Sequence, residues 1–394
     1  MAKTDPKLIT KKGKGKKAEE EEFIRTSMTE GVEEPSGRRS IAIPNSNKKG
    51  GKNRVSMNNF KIIDRLGNGA FGTVFCVAQK NLPKGATVKH YAMKTLEKES
   101  VLKQNLARYA LTERNVLSVA GKHPLVVGLD FAFQNSYRLY LIMEYCPGGD
   151  MEKQIRLKKK FTEEEARLYI CQVILAIEHL HKHNIIFRDL KPGNIVLDKH
   201  GNVKLTDFGL SKENVGEFSE NRSFVGSIAY LAPEILKKQA HHKSIDWYLT
   251  GVLLYEMLVG IPPYYNNNRK ILFENIREGP LRIPHTMSKV ARDLILNLLN
   301  RNPKKRMGAS ARDADELKEH EFFNDVNWQD VADLKIDMPK IEVNKDLKFN
   351  PEAEQAFKKG EAASEATMNK LYKQMKKDGG YEEVKAKDES NKVF

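Results

Sequence analysis

The chain has 394 residues, 40% hydrophobic and 30% charged, with a formal charge of +15 at pH 7, a length that allows about two domains with a sizeable core. No apolar run reaches the ~20 residues of a membrane span, no apolar leader opens the chain, and Ala2 does not fit an N-myristoylation signal. Cys76, Cys146 and Cys171 are few, odd in number and widely spaced, which argues against a disulfide framework or a zinc knuckle and fits a reducing compartment.

Residues 1–59 alternate lysine blocks with the acidic run Glu19–Glu22 and carry few large apolar residues. They hold 14 basic against 8 acidic residues, or +6, and read as a disordered tail. Residues 350–394 are balanced, so the remaining +9 is spread over 60–349 without a basic stripe interleaved with aromatics. Nucleic-acid binding is therefore not expected, while weak contact of the tail with a membrane surface stays open.

From Phe60 to about Glu144, short alternating apolar stretches at 60–66, 72–80, 87–95, 127–133 and 138–144 are split by Gly and Pro turns. A helical pattern at 103–119 interrupts them, which predicts a small antiparallel sheet with one major helix. Gly67-Asn68-Gly69-Ala70-Phe71-Gly72 lies between the first two strands. Its glycines let backbone amides approach phosphates, and Val74 just beyond can lie over an adenine ring. A strand after this loop, where a dinucleotide fold would place a helix, argues against that fold. Lys94, in Ala92-Met93-Lys94, puts an ammonium within reach of phosphates, and Glu113 on the helical stretch can supply the partner charge a buried lysine needs.

From residue 150 the periodicity turns helical. Ala166, Ile170, Val173, Ile174, Ile177 and His181 mark one face of a long helix that Thr162 and Glu165 open as a capping box. Further helices fit 246–259, 269–277 and 288–299, periodicity fades after Phe323, and 350–394 reads as a loose helix or disorder. Between the helices lie Phe187-Arg188-Asp189-Leu190-Lys191-Pro192-Gly193-Asn194 and, 13 residues after Asn194, Asp207-Phe208-Gly209. Moving a phosphate onto an alcohol needs this set. One aspartate (Asp189) takes the proton and a lysine (Lys191) reaches the phosphate in flight. An asparagine (Asn194) and a second aspartate (Asp207) hold Mg2+.

With these motifs in this order, residues 60–342 resemble a eukaryotic protein kinase. The resemblance implies an α+β bilobal fold: a mainly antiparallel β N-lobe at 60–145, a mainly helical C-lobe at 146–323, and the ATP cleft between. Residues 324–394 would form a C-terminal extension whose distal part is poorly ordered. Phe187-Arg188-Asp189, Arg222-Ser223-Phe224-Val225-Gly226-Ser227, Arg306-Met307-Gly308 and His320-Glu321-Phe322-Phe323 point to the AGC serine/threonine group, nearest the Akt and serum- and glucocorticoid-regulated kinase branch. The spacing of Lys94 and Glu113 is the family's strand-lysine and helix-glutamate pair. ATP would be held by Leu66, Gly67, Asn68, Gly69, Ala70, Phe71, Gly72, Val74, Ala92, Lys94, Met143, Glu144 and Cys146. Leu117, Leu129, Phe187 and Phe208 match the apolar column of active kinases. Glu234 of Ala232-Pro233-Glu234 expects Arg306 as its buried partner, and Asp246 should anchor the catalytic loop's backbone.

The resemblance further implies that Ser223 takes an activating phosphate received by Arg188 and Lys212, although Tyr109 stands where the family often adds a His. Ser227 would bond Asp189 and Lys191 and favour Ser/Thr substrates. Asp150 and Glu256 match acidic positions that read arginines upstream of the target. The third such position is Gly193, so arginine preference should weaken. Arg38-Arg39-Ser40 resembles a basophilic target or pseudosubstrate, but an unrelated basic tail segment explains it better. No hydrophobic tail motif is found after residue 345, and Phe349 is the one candidate for the acidic aromatic segment that covers the nucleotide. The expectation is a monomeric, cytoplasmic and also nuclear protein serine/threonine kinase using ATP and Mg2+. It would act on protein substrates with upstream basic residues and answer to an upstream activating kinase. The alternative is a catalytically weak kinase-fold scaffold. A small-molecule kinase is disfavoured by the Ala-Pro-Glu segment and the Asp246 helix.

Overall fold

The computed structural model describes residues 55–69, 72–83, 85–104, 106–212, 228–240, 242–344 and 347–377. They divide into two compact units. One takes in the described residues up to Leu111, Leu129–Tyr145 and those of 347–377; the other takes Thr112–Gly128 and the described residues of 146–344.

In the first unit the alternating segments become five strands: β1 (Phe60–Gly69), β2 (Gly72–Gln79), β3 (His90–Glu97), β4 (Leu129–Gln134) and β5 (Arg138–Glu144). They form one antiparallel sheet in the order β1-β2-β3-β5-β4. After β3 come the short helix α1 (Lys98–Lys103), which the periodicity does not mark, and then α2 (Ala107–Ala120), where the sequence predicts its helix at 103–119.

Register sorts the sheet's side chains onto two faces. Val74 pairs with Lys94 and Lys94 with Leu141; Cys76 pairs with Ala92 and Ala92 with Met143, so these six share one face. The opposite face carries Phe75, Val77, Tyr91, Met93, Tyr140 and Ile142, all buried in one apolar cluster that also contains Ala353 and Phe357.

Those last two residues belong to the C-terminal helix Pro351–Lys377. The lysine- and glutamate-rich composition of 350–394 left it open between a loose helix and disorder, because among its described side chains Ala353, Phe357 and Met368 are the buried apolar ones and the buried Ser364 is polar. A start signal was nonetheless present. Asn350 accepts hydrogen bonds from the backbone N–H of Glu352 (3.0 Å) and Ala353 (3.3 Å), and Pro351 follows at the first helical position. Phe357 meets Phe75 edge to face, with ring centroids 5.3 Å apart. Arg138 donates to Ser364 Oγ (3.1 Å) and Glu97 (3.1 Å), while Ser364 Oγ donates to Glu97 (2.9 Å) and Tyr140 Oη to Glu361 (2.7 Å).

The second unit is mainly helical: α3 (Met151–Lys158), α4 (Glu163–Lys182), α5 (Pro233–Leu236), α6 (Ser244–Val259), α7 (Arg269–Arg277), α8 (Lys289–Leu298), α9 (Ala314–Lys318) and α10 (Trp328–Ala332). The two-stranded ribbon of β6 (Ile195–Leu197) and β7 (Val203–Leu205) sits between α4 and α5 in the chain. The capping box forms as the sequence predicts: Glu165 N donates to Thr162 Oγ1 and Thr162 N to the Glu165 carboxylate, each at 3.2 Å. The predicted inward face of α4 is buried throughout, from Ala166 to His181. Arg306 and Glu234, both fully buried, make a bidentate pair at 2.7 and 3.0 Å, and Arg306 also donates to the Ser244 carbonyl at 2.9 Å. This is the expected partnership, with its hydrogen bonds satisfied.

Candidate active site

The catalytic loop of the second unit is built around one buried carboxylate. Asp246, in the first turn of α6, accepts the backbone N–H of Arg188 on one oxygen (2.7 Å) and that of Phe187 on the other (2.9 Å). The second oxygen also meets His181 Nε2 at 2.9 Å. His181 Nδ1 faces Asp313 at 2.9 Å, and Trp247 Nε1 donates to Asp313 at 2.6 Å. Burial alone would lower the His181 pKa, but hydrogen bonds and charge from Asp246 and Asp313 outweigh it and raise the pKa. Burial likewise opposes ionisation of Asp313, and His181 and Trp247 reverse that, so its pKa lies below the ordinary value. The sequence marked His181 only as part of a helix face. Its ties to Asp246 and Asp313, 65 and 132 residues away, need the fold.

Two backbone positions nearby are ones that ordinary residues avoid. Arg188 has φ +65° and Asp207 φ +63°, left-handed conformations that cost on the order of 1–3 kcal/mol each unless their surroundings impose them. Arg188 is further pinned by its guanidinium, which donates to the carbonyls of Leu210 (2.8 Å) and Ser211 (3.1 Å). Ile186 and Lys212 exchange backbone hydrogen bonds at 3.0 Å, closing the segment after Asp207-Phe208-Gly209 onto the catalytic loop. Phe187 and Phe208, both fully buried, pack with centroids 5.2 Å apart.

Within that frame the reactive groups converge. Lys191 Nζ lies 2.7 Å from Asp189 Oδ2, and Asn194 Nδ2 donates to the same oxygen (2.7 Å) and to the Asp189 carbonyl (2.8 Å). Asp189 is 6% exposed. Burial raises its pKa, Lys191 and Asn194 pull it back, Asp207 pushes it up again, and the net shift is upward. A carboxylate that is more basic than usual, yet held by two donors, is suited to accept a proton from an alcohol. The Asn194 amide nitrogen faces Asp189, which leaves its carbonyl oxygen, with Asp207, as a pair of hard oxygen donors. That pair fits Mg2+, which takes one or two protein oxygens and completes its shell with water and phosphate.

In the first unit, the expected nucleotide residues Val74, Ala92, Lys94 and Met143 stand on the one shared face, and Lys94 is 3% exposed. Leu66, Gly67 and Asn68 are exposed on β1, and Gly69 and Gly72 are the paired ends of β1 and β2. Ala70 and Phe71 lie outside the described residues. A Cβ at Gly72 would stand 2.0 Å from the Thr95 carbonyl oxygen, so packing itself requires glycine there. Glu144 and Cys146 are half-buried, and Glu113 is buried in the second unit at 1% exposure. Phe349 is 42% exposed and lies under Lys61, 4.3 Å from the ring centroid.

The residues expected on the substrate side divide. Asp150 caps α3, accepting the Lys153 backbone N–H at 2.7 Å, so one of its oxygens is engaged within the helix. Glu256 is half-buried, with Oε2 shielded from solvent and lacking a hydrogen-bond partner. Ser223 and Ser227 lie outside the described residues, as does Arg38-Arg39-Ser40. Glu152 drew no attention in the sequence. Only the fold shows its carboxylate against Gly193, where Oε2 lies 3.2 Å from the place a Cβ would occupy.

Comparison with known proteins bears on this arrangement. The protein kinase domain family matches residues 60–323. RAC-beta serine/threonine-protein kinase B of Xenopus laevis is 42% identical over 289 residues, covering 73% of this chain and 58% of that protein. Human RAC-beta serine/threonine-protein kinase is 40% identical over 283 residues, 72% of this chain and 58% of the relative. Serine/threonine-protein kinase Sgk1 of Xenopus tropicalis is 41% identical over 280 residues, 71% and 66%. The chain thus spans less than two thirds of the length of these relatives.

Proposed function

Because the chain belongs to the protein kinase family, in the AGC group near the RAC and Sgk kinases, we propose that it transfers the γ-phosphoryl of ATP to serine and threonine hydroxyls of proteins. The observation that carries this reading is the convergence of Lys191 and Asn194 on one oxygen of Asp189. Asp189 orients the incoming hydroxyl and accepts its proton, and its raised pKa strengthens it as a base. Lys191, already at Asp189, neutralises charge on the phosphoryl as it moves. Lys94 and the glycine-rich loop meet the triphosphate from their face of the sheet. Asn194 and Asp207 are the residues that would hold Mg2+, which when bound neutralises the phosphate charge.

Asp150 and Glu256 support a preference for basic residues upstream of the target. The sequence around Ser223 supports activation by phosphorylation there by an upstream kinase, the new phosphate pairing with Arg188 and Lys212. Cytoplasmic and nuclear residence and a monomeric state complete the proposal; among the described residues no helix is long and apolar enough to cross a membrane.

Radiolabelled phosphate transfer from Mg-ATP to an arginine-rich serine peptide library tests this. Wild type should transfer, Asp207→Ala should lose nearly all turnover, and Ser223→Ala should be sharply reduced. Asp189→Asn should lower kcat by about 10²–10⁴ with ATP affinity kept. Collapse of ATP binding with kcat intact would overturn the role of Asp189. Absence of transfer by Ser223-phosphorylated wild type would favour a scaffold.

A further inference from the structure

The first unit holds a cleft of about 430 Å³ on the face of the sheet opposite Val74 and Lys94. Strands β1 to β3 form one wall, α1 a second, and Ala356, Phe357 and Gly360 of the C-terminal helix a third. Among the described residues none of α2, the helix of Glu113, lines it. The phosphotransfer chemistry leaves this space unused. Buried Phe75, Val101 and Phe357 make its surface partly apolar, and its charged residues are Arg65, Glu97 and Arg138.

The hydrogen bonds within the cleft are unevenly spent. One oxygen of Glu97 accepts from Arg138 Nη2 (3.1 Å) and Ser364 Oγ (2.9 Å), and the other from Ser100 Oγ (3.4 Å). Thr95 Oγ1 donates to the Thr73 carbonyl and Thr73 Oγ1 to Asn68, each at 3.2 Å, so the lining hydroxyls serve the protein itself. Donors remain. Arg138 is 5% exposed and stands over the Phe357 ring, 5.7 Å from its centroid. It bonds through Nε and Nη2, which leaves Nη1 without a partner among the described residues. A shielded guanidinium nitrogen in that position favours an incoming acceptor. Arg65, on exposed β1, donates to Asn68 and forms no ion pair among the described residues. Two guanidiniums against one carboxylate leave a single positive charge unmatched.

We propose that this cleft binds a small organic acid: one carboxylate carried on a ring or a short apolar chain. The carboxylate accepts from Arg138 Nη1 and from the fork of Arg65, and it cancels the unmatched charge. Its apolar body lies against Phe75, Val101 and Phe357, in a space of the size that holds small ligands. A phosphate monoester carries more charge than the cleft leaves unmatched, so a carboxylate fits better. Such an occupant ties the β1–β2 hairpin to α1 and the C-terminal helix. Binding here is independent of phosphotransfer, so its test needs no turnover.

Titration calorimetry on the full chain, with 3-phenylpropionate as the probe, tests the site. Wild type should bind it with a Kd of about 0.1–1 mM, the range expected of a ligand this small. The neutral 3-phenylpropionamide and acetate, which lack the charge and the ring respectively, should each bind at least about tenfold more weakly. Arg65→Gln should weaken the acid about tenfold, and Ala356→Phe, which fills the cleft from an exposed helix position, should abolish binding. Lys94→Met, on the other face, should leave the affinity within about twofold. Thermal melting of each variant shows that it is folded. The site is refuted if wild type does not bind the acid, or if the amide binds as well as the acid. Wild-type affinity in either Arg65→Gln or Ala356→Phe also refutes it, and loss with Lys94→Met alone would place the acid on the nucleotide face instead.

Discussion

The catalytic loop and the C-terminal helix are each held by a buried network, but the two networks differ in kind. Around Asp246 the ties are charge-assisted and directional, running from one carboxylate to two backbone N–H groups and an imidazole. Under the C-terminal helix the main support is apolar, from Ala353, Phe357 and Met368. A polar knot of Arg138, Ser364 and Glu97, with the Tyr140–Glu361 hydrogen bond beside it, fixes the register. Directional ties fix atoms to fractions of an ångström, which chemistry at Asp189 needs. Apolar contacts bind strongly yet tolerate exchange of one large side chain for another. The first network should therefore fail sharply under isosteric change and the second gradually under loss of volume.

The largest effect should come from Asp246→Asn. The change keeps shape but sets an amide against two N–H donors and His181, so a loss of about 3–5 kcal/mol is expected, with phosphotransfer nearly abolished. Denaturant unfolding alongside kcat would check it. A near-normal kcat in the folded variant would break the claim that this carboxylate sets the loop's geometry. Phe357→Ala removes the ring facing Phe75 and should cost about 3 kcal/mol in the first unit. Hydrogen exchange should show the loss over β2, β3 and the helix. Phe357→Leu should recover most of it, and failure to recover would mean that this region is as exacting as the catalytic loop.

Glu256→Gln probes a polar group whose cost is left uncompensated. Its carboxyl titrates near 7 in the fold, against about 4.5 when unfolded. Ionisation is thus disfavoured in the native state, and the group subtracts stability as pH rises between those values. Glutamine should make no difference at pH 4 and should stabilise by on the order of 1–3 kcal/mol at pH 8, after allowance for solvent screening. Thermal melting at both pH values would decide. Equal shifts at the two would contradict the origin in ionisation. The smallest effect belongs to Gly360→Ala, whose Cβ would stand 2.8 Å from the Arg138 guanidinium. The end of a long side chain can move aside, so a loss of about 1 kcal/mol is expected, in competition with the gain in helix propensity. A rise in melting temperature would mean that the polar knot gives way freely.

Much of this molecule could be read before it was folded. The five strands and the long capped helix follow from periods of 2 and 3.6, and the Glu234–Arg306 pair was implied by the family resemblance. That Asp189, Lys191 and Asn194 would meet could be expected from their loop, because the phosphoryl transfer proposed for them demands fixed residue types at short spacings. The C-terminal helix was legible only as a choice between a loose helix and disorder, because its stripe is broken by polar and charged residues. Its start signal at Asn350-Pro351 gains meaning only once an apolar sheet face stands ready to receive it.

What the linear order determined by itself is local: which segments alternate, where helices begin, and which reactive groups share a loop. What the tertiary structure decided is which distant groups meet. It brought His181 between Asp246 and Asp313, laid Phe357 on Phe75, and set the Glu152 carboxylate into the space left by Gly193. The physical reason is the same in each case. Charge, volume and hydrogen-bond demand are satisfied in three dimensions, so a residue's partner is the group the fold brings within reach, at whatever distance along the chain.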